Sequence, residues 1–360
     1  MTVRAKSLSW LIAGAGVIGA LALVAVFARV TAQTVGTIPQ RVAFQISTAS
    51  ITGNDFSVGE LLAGILSHPP GISRCETANL CGPPGLIVST RAADGSVANV
   101  SAVNVGATGS SLAQADVVAQ AVSGQSAFAG SGPALRLRAI ANLYEQTVHL
   151  VAAHDAGIET VADLRGKRVS LSTEDSGSIV TARALLQAYR VPEWRMVRNY
   201  DPPDFAAQLL RDGELDAFFF VGSAPVELVE QLLLEGVAVL VPLDGVGRDR
   251  LVNGSNFLNA ALLSQGTYTG TDDLETINVG TLWITNATTP YPLVYAMVKA
   301  IFNPDNRPQI EARQTGSNFL ELETAMNGSP VAYHPGALQY YAEAGVLPAP
   351  VNPSLPVPKP

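Results

Sequence analysis

Along the middle of the chain, short runs that alternate polar and apolar positions repeatedly give way to longer runs with apolar residues three and four apart. Arg41, Val42, Ala43, Phe44, Gln45 and Ile46 alternate as a strand does. After a Ser/Thr/Gly turn, Val58, Leu61, Leu62, Ile65 and Leu66 fall on one helical stripe. The scheme recurs: residues 167–172 read as a strand, 174–178 as a polar turn, and Ile179, Ala182, Leu186 and Tyr189 as a second stripe. Residues 205–210 then read as a helix stopped at Gly213, followed by an apolar strand over 217–221. Strand–turn–helix units in this order predict an α/β fold with mostly parallel strands.

The ends read differently. Arg4 and Lys6 precede an apolar run of 18 residues, 11–28, and Val30, Thr31 and Ala32 are small enough for cleavage. Residues 1–32 are therefore expected to be a secretory signal, either cleaved or retained as an inner-membrane anchor over 8–28. In both cases the basic end stays in the cytoplasm and the rest of the chain faces the periplasm. Residues 348–360 contain six prolines and are expected to form a disordered or polyproline-like tail.

At 360 residues the chain is long enough for two lobes. With 48% hydrophobic and 14% charged residues it is a folded protein. Twenty-two Lys and Arg against 30 Asp and Glu exclude a nucleic-acid partner on charge grounds, and loss of the leader takes the net charge from −8 to −11. Cys75 and Cys81 are the only cysteines, and in an exported chain they read as a disulfide closing a small loop. The histidines (His68, His149, His154, His334) are scattered, so neither a metal site nor a cofactor is expected. Gly-x-Ser-x-Gly is absent and no nucleophile–base pair stands out, so catalysis is not expected.

Two polar turns, over residues 47–55 and 172–178, fall between a strand's carboxyl end and a helix's amino end. That is where open α/β sheets bind ligands, and unpaired first-turn N–H groups suit an anion there. Helix capping explains the same residue types.

Five segments carry a resemblance to a known family: residues 48–59; 94–99 with 114–117; 155–169; 265–270 with Val279 and Gly280; and 334–346. In their order and spacing the chain resembles the TAXI family of TRAP-transporter solute-binding proteins from about Val42 to Leu347. The resemblance implies a type II-like periplasmic-binding-protein fold, two α/β lobes joined by hinge strands with a ligand cleft between them. Lobe 1 is expected over 36–147 and 277–347, and lobe 2 over 148–276, with hinge crossings at 147–151 and 280–284. The implied function is capture of a small carboxylate or amino acid by hinge closure and delivery to a TRAP membrane permease. The alternative is a ligand-sensing periplasmic partner of a membrane receptor or kinase. The chain departs from the family pattern at Asp55, Phe56 and Ser57, where two aromatics and a proline are usual, and at residues 173–177, where Glu174 and Asp175 enter a Pro-Gly-Ser-Gly-like turn.

Candidate ligand contacts follow from the turns and the motifs. Ser50, Thr52, Gly53 and Asn54 suit a carboxylate, Asp55 an ammonium group or the start of a helix, and Phe56 packing against a solute. Gly95 and Ser96 open another helix. Gln114 and Asp116 end a strand, Asp116 reading first as the N-cap of a helix over 117–122 and second as a ligand contact. Ser176, Gly177 and Ser178 suit an oxyanion, Gly222 and Ser223 end an apolar strand facing the same crevice, and Tyr268 is expected on the hinge side.

Overall fold

The structure is a computed structural model and describes residues 41–51, 53–313 and 318–346. The expected leader over 1–32, Thr52 and the tail over 348–360 lie outside the described residues. Among the described residues no helix is long and apolar enough to cross a membrane.

Strand β1 (Val42–Ser47) buries Phe44 and Ile46, and helix α1 (Asn54–Leu66) buries the expected stripe of Val58, Leu61, Leu62, Ile65 and Leu66. Then follow β2 (Leu86–Arg91), α2 (Ser96–Val105), β3 (Ser110–Gln114) and α3 (Ala115–Ser123). Strand β1 lies parallel to both β2 and β3, as strand–helix–strand crossovers require. The loop between α1 and β2 holds the Cys75–Cys81 disulfide.

The chain then crosses the molecule in β4 (Leu137–Ala153) and repeats the scheme in β5 (Arg168–Ser170), α4 (Gly177–Ala188), β6 (Val197–Asn199), α5 (Pro203–Arg211) and β7 (Ala217–Gly222). Strand β5 runs parallel to β6 and β7. It stops two residues earlier than its alternation predicts, because Ser172 adopts φ 73°, outside the extended region. Helix α6 (Glu227–Leu234), β8 (Ala238–Leu240), α7 (Gly245–Asn253) and β9 (Leu258–Leu263) lead to the second long strand, β10 (Leu274–Asn286). After it come α8 (Tyr291–Ile301), α9 (Arg307–Glu311) and α10 (Pro335–Glu343).

One sheet in the order β2-β1-β3-β10-β4-β7-β5-β6 results, with β8 on β4 and β9 on β10. The expected architecture is met: two parallel half-sheets, each covered by helices, make two α/β lobes joined by long strands. Strand β4 is antiparallel to β10 over its first part and to β7 over its second, and Thr147 lies opposite both Asn278 and Gly222 where the partner changes.

Three apolar clusters hold the sheet. Under α1, α8 and α10, Leu62, Ile65, Trp283, Met297 and Tyr341 pack on one face, and the buried indole of Trp283 donates to Ser110 Oγ at 3.0 Å. Under α5 and α6 lies a smaller cluster with Val151, Leu210, Phe218 and Leu232. The third, with Val100, Val118, Leu150, Ile179, Leu185 and Phe219, continues from α2 and α3 to α4 without a break. Asn99 sits at its upper edge. Its buried amide donates to Thr48 O and Leu112 O, both at 2.9 Å, tying the carboxyl ends of β1 and β3 to α2.

Candidate functional site

The carboxyl ends of β1, β2 and β3 in one half and of β5 and β7 in the other point at a common crevice. The helices that follow them are capped in different ways. Gly53 caps α1 and Gln114 caps α3 without a side-chain hydrogen bond, whereas Ser176 Oγ accepts from Ile179 N at 3.3 Å and caps α4. The capping explanation thus accounts for Ser176. It leaves Gly53 and its neighbours to their backbone turn, closed by Gly53 N donating to Ser50 O at 3.0 Å.

The two halves touch across the crevice. Asn54 Nδ2 donates to Ser223 O at 3.4 Å, and Val97 N, in the first turn of α2, donates to Asp175 O at 3.1 Å. Gly95 makes that approach practicable: a Cβ there would stand 2.8 Å from both Asp175 O and Ser176 Cα. Gly177 is equally tight, since a Cβ would lie 1.9 Å from Gln114 Oε1. Ser96 Oγ accepts from Gln114 N at 3.1 Å and so fixes the amino end of α2 to the end of β3.

At the centre lies a chain of buried polar side chains. Asp55 Oδ1 accepts from the Tyr144 hydroxyl and from Gln146 Nε2, the latter at 2.6 Å. Gln146 Oε1 in turn accepts from Gln114 Nε2 at 3.1 Å, and Gln114 Oε1 points at α4 with no hydrogen-bond partner among the described residues. Burial raises the Asp55 carboxyl above its ordinary range, with the two donors opposing it, and pushes the Tyr144 phenol well up. Tyr144 and Gln146 escaped the sequence reading. Their spacing of two on a strand puts both on one face, but Gln146 sits in a polar stretch with Glu145, Thr147 and His149, so the sequence carried no signal that singled it out.

Other candidates are occupied structurally. Asp116 is not the N-cap expected for residues 117–122; it is a first-turn residue of α3, two residues past the cap at Gln114. Its carboxylate accepts from Thr181 Oγ1 of α4 at 2.6 Å and from Val117 N at 2.8 Å, and burial pushes it up to about 6. Tyr268 is buried with its hydroxyl 2.7 Å from His149 Nε2 and accepting from Val226 N at 3.0 Å. Desolvation lowers that histidine to about 4. Gly222 lies against the Phe220 ring, Phe56 is half-buried, and the buried Ser223 Oγ has no partner among the described residues. Ser178 Oγ accepts from Val221 N at 3.2 Å. Ser178→Ala leaves that buried amide without an acceptor and is expected to cost about 1–2 kcal/mol in chemical denaturation. An unchanged midpoint would show that the hydroxyl carries no structural weight.

The structure therefore brings Asn54, Asp55, Gly95, Ser96, Gln114, Ser176, Gly177 and Ser223 to one crevice, and sets Asp116, Ser178 and Tyr268 behind it. Two surface cavities lie elsewhere. One of about 410 Å³ is lined by Ala43, Gln45, Thr108 and Asn286 towards the amino end of β1, and another of about 520 Å³ by Arg183, Arg190 and Glu193 beside the end of α4. Neither includes any of the candidate residues. Among the described residues no group of three His, Cys, Asp or Glu is placed to hold a metal ion.

The sequence pattern of the NMT1-like family matches residues 46–345. Among solved structures, the chain is similar to the periplasmic aliphatic sulphonate binding protein SsuA from Escherichia coli (17% identity, 75% of this chain and 76% of that one covered, TM-score 0.43). It is also similar to MatC from Rhodopseudomonas palustris with bound malate (15% identity, 85% and 98% covered, TM-score 0.49).

Proposed function

The chain belongs to the NMT1-like family, and on that premise we propose that it is the extracytoplasmic solute-binding subunit of a TRAP-type secondary transporter, closing around a small carboxylate or amino acid. Members of the family are solute-binding proteins, not enzymes. The observation that carries the reading is the meeting of strand-end turns from both halves at one crevice, with a buried polar chain from Asp55 to Gln114 on one side of it. A solute touching both halves stabilises the closed state by the difference between its contacts there and in the open state.

The change of strand partner at Thr147 supports lobes over 36–147 with 277–347 and over 148–276, with β4 and β10 as the hinge. The basic, apolar leader supports a periplasmic location, and the order of motifs from residue 48 to 346 supports a TRAP permease as partner. The amino ends of α1 and α4 supply the partial positive charge that a carboxylate needs.

Purified protein is expected to melt several degrees higher with one member of a carboxylate and amino-acid panel, because a ligand that binds only the folded state raises stability by mass action. If no member shifts the melt and native mass spectrometry finds no co-purified small molecule, the reading is lost.

A further inference from the structure

Asp55 is a buried carboxylate at the crevice whose two hydrogen-bond donors, Tyr144 and Gln146, are neutral. None of the ion pairs among the described residues includes it. Both donors fall on Oδ1, and no hydrogen bond among the described residues falls on Oδ2. A carboxylate held this way costs solvation that neutral donors only partly restore, and a cation placed against it would restore more.

The surroundings point the same way. Gln114, 5% exposed, is joined to Asp55 through Gln146, and its unpartnered Oε1 abuts Gly177 of α4. Asp94, Glu174 and Asp175 stand in the neighbouring turns; residues 48–54, 92–95, 171–176 and 223–226 include no Lys or Arg, and the exposed Arg91, the last residue of β2, borders them. A solute with carboxylates at both ends would bring one of them towards Asp55, where like charges repel.

We infer that Asp55, oriented by Tyr144 and Gln146, accepts a hydrogen bond from a protonated amine of the solute, so that the ligand is an amino acid and not a simple carboxylic acid. The inference rests on the carboxylate-or-amino-acid reading above and selects between its two members. In this arrangement the amine takes Oδ2 of Asp55 and the carboxylate of the same molecule faces the helix amino ends.

Calorimetric titration at pH 7.5 tests it with matched pairs that differ only in the amine: L-glutamate and glutarate, L-aspartate and succinate, L-leucine and 4-methylpentanoate. 1,4-Diaminobutane serves as an amine without a carboxylate. In at least one pair the aminated member is expected to bind roughly 100-fold or more tightly than its partner, since a site built for a donor rejects the analogue lacking it. Asp55→Asn, which keeps the shape and the neutral donors, is expected to remove most of that preference. Equal binding by both members of every pair that binds, which needs no variant, overturns the amine inference and leaves the carboxylate reading standing. An Asp55→Asn protein that keeps the preference overturns it too. Binding by the diamine alone, lost in Asp55→Asn, supports Asp55 as the amine acceptor while removing the carboxylate reading. Binding by no probe overturns both.

Discussion

Gly95→Ala is expected to hold the crevice open. Gly95 has φ 136° and ψ −170°, a conformation essentially confined to glycine, and another residue there costs about 1–3 kcal/mol. The new methyl would also stand 2.8 Å from Asp175 O and Ser176 Cα. Those are backbone atoms, and Ser176 is tied down through its N and Oγ, both donating to Thr173 O at 3.0 and 2.7 Å. They cannot yield by a rotamer change, so overpacking adds about 1–3 kcal/mol. Only the overpacking depends on closure: it opposes the closed state by on the order of 2 kcal/mol, a factor of roughly 30 in the closed-to-open ratio, while the backbone strain destabilises open and closed forms alike. Hydrogen exchange at the Val97 amide, which donates to Asp175 O, should accelerate, small-angle scattering should show an expanded particle, and solute affinity should fall by a similar factor. Gly64→Ala is the control: nothing lies within 4 Å of its Cβ position and it is inside α1, so that change should stabilise the protein by about 0.5–1 kcal/mol. Unchanged scattering and unchanged Val97 exchange in Gly95→Ala would show that α2 does not govern closure.

The second large effect is on acid stability. Asp116 is raised to about 6 by burial, so below that pH the folded state binds a proton that the unfolded state does not yet hold. Its contribution is fully favourable below the unfolded value near 3.9 and is lost as pH rises through about 6. His149 behaves oppositely. Burial lowers it to about 4, so the unfolded state binds the extra proton, and stability falls as pH drops from about 6.5 through 4. Each shift of about two units corresponds to about 3 kcal/mol, and between pH 4 and 6 the two slopes oppose each other. Single variants should separate them. Relative to the parent, Asp116→Asn should lose about 3 kcal/mol on going from pH 7 to 4, and His149→Gln should gain about as much. Denaturant midpoints at the two pH values provide the measurement, and taking differences from the parent cancels the other carboxylates. Parallel profiles for parent and variants would mean that neither group is desolvated as its surroundings indicate.

Much of the fold was legible because its signals are local. The alternation over residues 41–46, the stripe from Val58 to Leu66 and the stripe from Ile179 to Tyr189 each report the burial of one face, which needs only a few neighbouring positions. The two cysteines allowed a single intrachain pairing, and that pairing is formed. The turns at residues 47–55 and 172–178 were legible as strand-end turns from their place between a strand and a helix, although helix capping explains the same serines and glycines. The end of β5 was misjudged by two residues, since side-chain alternation continues past the point where the backbone leaves the sheet.

The site was legible only in part. Asp116 looked like a helix cap, because an acid at the start of a helix has the same sequence signature whether its carboxylate meets solvent or a threonine 65 residues away. Tyr268 looked like a hinge-side ligand contact, and nothing local reveals that its hydroxyl meets a histidine 119 residues earlier. The amino-acid sequence by itself determined the α/β class, the order of the units, the loop staple and the polar turns, because each is a matter of period or of residue type within about ten positions. The crossings at 147–151 and 280–284 were expected from the family resemblance, but tertiary structure alone decided that β4 changes partner at Thr147, that Tyr144 and Gln146 reach Asp55 from 89 and 91 residues away, and that Gly95 meets Asp175. Those facts depend on which strands pair and how closely two lobes approach. Such pairings are chosen by burial summed over the whole molecule, and no short window of the chain contains that sum.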